Sequence, residues 1–328
     1  MAKNEFDTQA QQIIGSFSKS QVVYANSLIL TIFGDYICSH GGTIWLGSLI
    51  KLVASMGVNQ RLVRTSVFRL TEKGILQSQQ KGRRSFYSLT EKGFRQFSIA
   101  AERIYRYHDS QWDGDWRLVI TTLQNIDRDV KERFNKELTW FGFNRLSNGV
   151  FAHPTASLEQ VQRVITEMAL EDEVVIMQAK SMGDNPHRSS ANMIKYCFNS
   201  DAMKPEYEEF IDFFKDIIPA AAETKNKNEE LCFLLRTLLI HKYRRILLRE
   251  SELPHELVPA DCLSHHARGI TEQLYKYICT PAEHFFMRIG ESENGALPPV
   301  DDEYFTRFGG LPIYKADRAG TKKLPESV

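Results

Sequence analysis

From Ser27 to Leu89 the chain runs through three short amphipathic stretches, each closed by glycine, and then through a basic hairpin. Few folds accept that series. Leu28, Ile29, Ile32, Phe33, Tyr36 and Ile37 recur at helical spacing over Ser27 to Cys38, and Gly41-Gly42 stops the run. A shorter helix follows, with Leu46, Leu49, Ile50 and Val53 on one face and Gly57 at its end. Asn59 is placed to cap a third helix, Gln60 to Lys73, which ends at Gly74. Helices joined by a short Gly-containing turn form the helix-turn-helix pattern. Ile75 to Gln79 and Phe86 to Leu89 then read as strands around the tip Gln80-Lys81-Gly82-Arg83-Arg84, a β-hairpin wing. The pentapeptide Leu-Thr-Glu-Lys-Gly occurs at 70–74 and again at 89–93. The first copy ends the third helix and the second opens a further one with Thr90 as its cap, so the pair marks no domain repeat.

At about 100° per residue, Leu62, Val63, Ser66, Val67 and Leu70 share one side of the third helix, and Arg61, Arg64, Thr65, Phe68 and Arg69 share the other. The first side suits packing and the second suits a major groove. Arginine forks match guanine O6 and N7, and Thr or Phe carbon matches a thymine methyl. An outward Phe68 costs apolar exposure, and packing on a neighbouring element is the reading favoured over contact with DNA. Lys81, Arg83 and Arg84 at the wing tip suit phosphate or minor-groove contact. Charge agrees with this placement. Lys+Arg and Asp+Glu both number 41, but residues 45–95 hold ten basic residues against two acidic ones. That is +8 in the segment and −8 in the remainder, the footprint of a module that meets a polyanion on a body that does not, and the helix-turn-helix pattern makes that polyanion double-stranded DNA.

The 328 residues suggest two or three domains. No apolar run approaches a membrane span, and Met1 to Asp7 is unlike a secretory signal. Cys38, Cys197, Cys232, Cys262 and Cys279 include no C-x-x-C pair and read as reduced thiols of a cytoplasmic protein. After a polar linker over 106–115, Trp116 to Leu123 is strand-like and Asp127 to Trp140 is helical. Phe141 to Leu146 and Gly149 to His153 suit strands joined at Ser147-Asn148. Ser157 opens a helix to Leu170, and Val174 to Ala179 is a last strand. That is β-α-β-β-α-β, the ferredoxin-like order. Gly183 to His187 marks a boundary, and helices follow at about 205–218, 228–249, 264–279 and 281–289. The tail after Gly290 is expected to wrap the body without regular structure. The expected plan is thus α+β and multidomain: a winged helix-turn-helix over 20–105, a ferredoxin-like domain over 112–182, a helical domain over 190–290 and an extended tail over 291–328.

Late in the second of these C-terminal helices, His241-Lys242-Tyr243-Arg244-Arg245 form a cluster rich in cations, with Arg236 and Arg249 a turn or two either side; His265, His266 and Arg268 lie early in the next. At helical spacing His241, Arg244 and Arg245 can converge, and such groups suit the phosphates of an acyl-coenzyme A. Cations near a helix C-terminus also complement its dipole and pair with acids such as Glu250 and Glu252, and this alternative stays open. His255, Asp261, His265 and His266 lack metal-ligand spacing, so no metal is expected. No nucleophile elbow, P-loop or dinucleotide fingerprint points to an enzyme, and no catalytic residue is expected.

One family resemblance runs through these motifs. Gly41-Gly42-x-Ile44-Trp45-Leu46-Gly47-Ser48-Leu49, Val63-Arg64-Thr65, Phe68-Arg69-Leu70 and Gly82-Arg83-Arg84-Ser85-Phe86-Tyr87-Ser88-Leu89 resemble the PaaX family, transcriptional repressors of phenylacetic acid catabolism. So do Trp112-Asp113-Gly114-x-Trp116, Leu239 to Arg245, Leu253 to Pro259 and Phe308-Gly309-Gly310-Leu311, so the similarity spans nearly the whole chain. It implies a homodimeric repressor released from its operator by phenylacetyl-CoA as effector, without a cofactor. It also implies a central domain similar to the small ferredoxin-like nucleases of CRISPR systems. Those nucleases place an acidic metal ligand at the end of the first strand, where this chain has Ile120-Thr121-Thr122. Asp127 and Asp129 instead suit a helix start.

Overall fold

In a computed structural model the chain divides into two compact units, one of Met1–Tyr107, Phe210–Arg244 and Ala267–Val328, the other of His108–Glu209 and Arg245–His266. The structure describes residues 4–19, 25–106, 112–122, 126–182, 193–194, 203–249, 253–254, 257 and 262–312. The boundary segment Gly183 to His187 and Cys197 lie outside them, as do Glu250, His255, Asp261 and residues 107–111 of the expected linker. The division differs from the expected run of consecutive domains. Most of the C-terminal helices and the tail belong to the same unit as the basic head.

The first unit opens with α1 (Glu5–Lys19), for which no sequence signal had been read, and α2 (Ala25–Ile32). The apolar run then continues past α2 as a π turn, Phe33–Ile37, and a 3-10 turn, Cys38–His40. Gly41 and Gly42 follow with φ of 79° and 76°, a left-handed pair that suits glycine and ends the helix. Next come β1 (Thr43–Trp45), α3 (Leu46–Ala54), α4 (Gln60–Glu72), β2 (Leu76–Lys81), β3 (Arg84–Leu89) and α5 (Glu91–Tyr105). The strands form an antiparallel sheet in the order β1-β3-β2, and Lys81 pairs with Arg84. The turn is therefore only Gly82-Arg83, with Gly82 at φ 61°. Such two-residue hairpin turns favour glycine where φ is positive.

The repeated pentapeptide is used in two ways. In the first copy, Gly74 has φ 65° and closes α4, its N–H donating to the Thr71 carbonyl at 2.8 Å. In the second, Thr90 caps α5, its Oγ1 accepting from Gly93 N at 3.0 Å. Gly93 is ordinary helix there, but a Cβ on it would sit 2.3 Å from the Ile75 carbonyl oxygen. That glycine lets α5 press against the segment leaving α4.

The second unit contains β4 (Asp115–Thr121), α6 (Arg128–Trp140), β5 (Asn144–Ser147), β6 (Val150–His153), α7 (Leu158–Glu167) and β7 (Val174–Lys180). Its antiparallel sheet runs β5-β6-β4-β7. Val119, Phe134, Leu138, Phe151, Val161 and Ile165 form the core between sheet and helices. Asp127 caps α6, accepting from Asp129 N at 3.0 Å. Ser157 precedes α7 without a side-chain cap bond. That helix stops at Glu167 rather than Leu170, and Ala169 takes a left-handed φ of 52°.

The remaining helices are α8 (Lys204–Phe214), α9 (Ile217–Glu223), α10 (Glu229–Leu247) and α11 (Leu263–Ile289). The last is one continuous helix with Pro281 inside it, where two had been expected. Burial of Ile278, Cys279, Ala282, Phe285 and Phe286 on both sides of the proline offsets the lost hydrogen bond. Residues 291–312, the described part of the tail, are not irregular either. Glu291–Ser292 (β8) pairs with Gly295–Ala296 (β9), and a 3-10 segment, Asp302–Gly309, buries Tyr304, Arg307 and Phe308.

The π turn puts Asp35 into the interior of the first unit. Its Oδ2 accepts from Arg236 Nε at 2.9 Å; its Oδ1 accepts from the Tyr105 and Tyr275 hydroxyls at 2.7 and 2.9 Å and from Arg307 Nη1 at 3.1 Å. Arg236, fully buried, also donates through Nη1 to Glu283 Oε1 at 2.6 Å and to the Tyr304 hydroxyl at 3.1 Å. Its guanidinium carbon lies 4.0 Å from the centre of the Tyr36 ring. His40 bridges Glu283 Oε2 at 2.8 Å and the Pro298 carbonyl at 2.7 Å. Burial would raise the Glu283 carboxyl, but the Arg236 guanidinium and the His40 hydrogen bond outweigh it and hold the group down to about 2.

Two expectations follow from this packing. Gly74→Ala should destabilise by about 1–2 kcal/mol, the cost of a left-handed alanine, and Gly93→Ala by more, because a backbone carbonyl must move. Urea midpoints of the two variants give the order. Glu283, depressed in the folded state, adds stability that is complete above the unfolded carboxylate range near pH 4–5 and is lost as pH falls toward 2, about 3 kcal/mol in all. Glu283→Gln should flatten that acid limb in urea titrations at stepped pH; a limb as steep as in the parent protein refutes the assignment.

Candidate nucleic-acid interface

α4 is anchored along one side and open along the other. Asn59 Oδ1 accepts from Leu62 N at 2.9 Å and sets the helix start. Val63, Ser66, Val67 and Leu70 are buried, while Arg61, Arg64, Thr65, Phe68 and Arg69 are exposed. The two faces read from the spacing are therefore the two faces of the helix, with Leu62 at their border. Thr65 Oγ1 donates to the Arg61 carbonyl at 3.0 Å, which engages its hydroxyl on the helix itself. With the Gln60 amide turned to satisfy both groups, its oxygen accepts from Arg64 Nη2 at 3.0 Å. Phe68 departs from the favoured reading: it remains 63% exposed, so no neighbouring element among the described residues covers it.

Lys81, Arg83 and Arg84 stand exposed at the hairpin tip. Two of them already have partners from the tail. Arg84 Nη1 pairs with Glu291 Oε2 at 2.7 Å, and Lys81 Nζ donates to the Glu293 carbonyl at 3.1 Å. The Arg84 guanidinium also lies over Trp45, 4.4 Å from the ring centre, and Glu291 N donates to Ser48 Oγ at 3.1 Å. The short β8–β9 hairpin is thus tied to β1, α3 and the wing. Trp45 and Ser48 lie in the family motif but were not read as site residues, and Glu291 was not singled out from sequence. The signal available was charge complementarity between the basic segment and the acids that follow Gly290.

The cluster read for an acyl-CoA does not stand together in one environment. His241 is buried against the Phe17 ring at 5.9 Å, with Nδ1 3.4 Å from Thr31 Oγ1. Tyr243 is buried beside Phe210, ring centres 5.7 Å apart. Arg244 Nη2 donates to the Ser27 hydroxyl at 2.9 Å and the Ser27 carbonyl at 3.2 Å. His241 and Arg244 thus hold α2 from α10. Arg268 donates to the Arg106 carbonyl in the same unit. Arg245 and His266 are exposed and belong to the second unit.

In the second unit Thr122, just past the end of β4, donates to Glu173 Oε2 at 2.9 Å. Asp127 is occupied as a helix cap, so the strand end carries hydroxyls where an acidic ligand would be needed. Among the described residues no group of three or more His, Cys, Asp or Glu side chains is placed to hold a metal ion. No helix among them is long and apolar enough to cross a membrane.

Three family models match in series: a PaaX-like protein over residues 24–93, a PaaX protein central Cas2-like domain over 109–191, and a PaaX-like protein C-terminal domain over 198–288. The chain is 34% identical over 311 residues to the transcriptional repressor PaaX of Escherichia coli (strain K12), covering 94% of this chain and 96% of that one. A solved structure of an uncharacterized Mycobacterium tuberculosis protein aligns with a TM-score of 0.44 at 19% identity, over 72% of this chain and 89% of the other.

Proposed function

The chain belongs to the PaaX family, and we propose that it is a cytoplasmic, homodimeric, DNA-binding repressor of aromatic (phenylacetate) degradation genes, released by phenylacetyl-CoA. One observation carries the DNA-binding part: α4 buries one side in the head and leaves Arg61, Arg64, Thr65 and Arg69 in a row on the other. In this reading residues 25–105 are a winged helix-turn-helix, with α4 in a major groove and Lys81, Arg83 and Arg84 on phosphate or in the minor groove. The second unit, in the order β-α-β-β-α-β, is a ferredoxin-like body without a catalytic role. Its edge strand β7 leaves Val175 and Met177 exposed, an apolar strip suited to a second copy of the chain.

The contacts made by the proposed effector residues suggest how release would work. His241 and Arg244 touch α2 at Thr31 and Ser27, and α2 packs on α4. A coenzyme A phosphate that recruited Arg244 would withdraw it from Ser27 and loosen the support of the recognition helix. Release requires that the ligand bind the DNA-incompetent state better, and DNA must weaken the ligand by the same factor. The position of Arg244 alters what its loss should do. A merely ligand-binding arginine would leave operator affinity intact, whereas one that braces α2 would not.

Footprinting on the chain's own genomic neighbourhood, with and without phenylacetyl-CoA, tests the whole reading; an unprotected region, or protection indifferent to every acyl-CoA, rejects the corresponding half. Arg64→Ala should cost about 1–3 kcal/mol on the operator and much less on scrambled duplex. Equal loss on both would make Arg64 a phosphate contact. Arg244→Ala should weaken both operator binding, by gel shift, and phenylacetyl-CoA binding, by calorimetry. Unchanged values in both assays would return Arg244 to a local structural role.

A further inference from the structure

Phe68 is a large apolar side chain left 63% exposed in the middle of a cationic face. It stands seven residues after Arg61, four after Arg64, three after Thr65 and one before Arg69, so at helical spacing its ring lies among them. Helical side chains lean toward the N-terminus, which brings the ring over the turn that carries Arg64 and Thr65. Thr65 has its hydroxyl turned to the Arg61 carbonyl. The face therefore offers one apolar spot, Phe68 with the Thr65 side chain, bordered by three guanidinium groups.

Two properties of that spot narrow its occupant. A second copy of the same face would bring like charges together, which disfavours self-association there. Duplex DNA has the opposite charge. Among the base-edge groups of its major groove every hydrogen-bonding position is polar, and the thymine C5-methyl is the apolar one. A phenyl ring forms no conventional hydrogen bond, so the methyl is the group it can recognise.

We propose that Phe68 is a base-reading residue that selects thymine through its C5-methyl, inside the arc of Arg61, Arg64 and Arg69. The proposal rests on the DNA-binding reading above and adds to it the chemistry of one base position in each half-site.

The test uses the full chain and a duplex that it selects from a random-sequence pool. Each thymine of the selected duplex is replaced in turn by deoxyuridine, which removes the methyl and keeps the hydrogen-bonding edge. Phe68 is exposed, so Phe68→Ala is expected to fold normally, as a thermal midpoint equal to the parent's will show; Phe68→Leu provides a second, larger apolar side chain. Removing the methyl at one position per half-site should weaken the parent protein about three- to five-fold, the scale of one buried methyl group. Phe68→Ala should bind the selected duplex on the order of tenfold more weakly and show no further loss with deoxyuridine at that position. Phe68→Leu should fall between. Its affinity for scrambled duplex should not change.

Equal sensitivity of Phe68→Ala and the parent to every deoxyuridine overturns the proposal and leaves DNA binding standing. So does a uniform loss on all sequences accompanied by a lower oligomeric state in sedimentation, which would make Phe68 a protein contact. If the parent selects no duplex at all, the DNA-binding reading fails and the proposal with it.

Discussion

A single fully buried guanidinium organises the first unit. Arg236 has a rigid fork of donors, and each edge of that fork is met by a different stretch of chain: Asp35 from the π turn, Glu283 from α11 and Tyr304 from the tail. The desolvation of such a charge is costly, and burying it without partners would cost several kcal/mol. The tail, the C-terminal helices and the first helix of the head must therefore all be in place before Arg236 is satisfied, so they dock as one body. A well-packed apolar substitute for the whole set could be equally stable. What the charged version adds is geometry, because each carboxylate accepts along defined directions from more than one donor. The π turn belongs to this arrangement, since it carries Asp35 and its backbone carbonyl also accepts from Arg236 and Arg307.

Local chemistry was readable from the chain and long-range chemistry was not. Asn59, Thr90 and Asp127 cap helices as their spacing indicates, because a cap is decided within three residues. Gly41-Gly42, Gly57 and Gly74 adopt the left-handed backbone that their positions after apolar runs imply. The outward face of α4 followed from periodicity alone. By contrast, Asp35 and Arg236 are 201 residues apart, and nothing in either local sequence signals the other. The same distance hid the union of head and C-terminal helices, the tie between Glu291 and Arg84, and the order within the tail. Pro281 misled for another reason: a proline is usually a boundary, and only the burial on both sides of it shows that α11 runs on. Phe68 was misjudged because packing is the usual fate of a phenyl ring.

Two of the residues that looked like a ligand cluster, His241 and Arg244, are part of the support of the head. His241 and Tyr243 are interior groups, and Arg244 reaches α2. In a repressor this is a useful position for a sensor, since the same side chains would face both the stimulus and the element that answers it. No long relay of side chains is then required. On the proposed reading, coupling would reduce to which of two partners Arg244 prefers, an equilibrium that the ligand would bias directly.

The pairing of Arg84 with Glu291 bears on how this head would respond to ionic strength. Binding to a duplex strengthens as salt is diluted because each cation that covers a phosphate sets a condensed counterion free. Arg84 arrives with its own tethered carboxylate rather than a mobile anion. A phosphate that took the Nη1 edge would displace Glu291, which would stay attached and close by. Such an exchange adds attraction only to the extent that phosphate outcompetes a neighbouring carboxylate, and the displaced acid remains near the backbone as a repulsive charge. On the proposed reading the wing would therefore act as an ion exchanger with one site already loaded, and its full count of cations would overstate the number of phosphates it could neutralise.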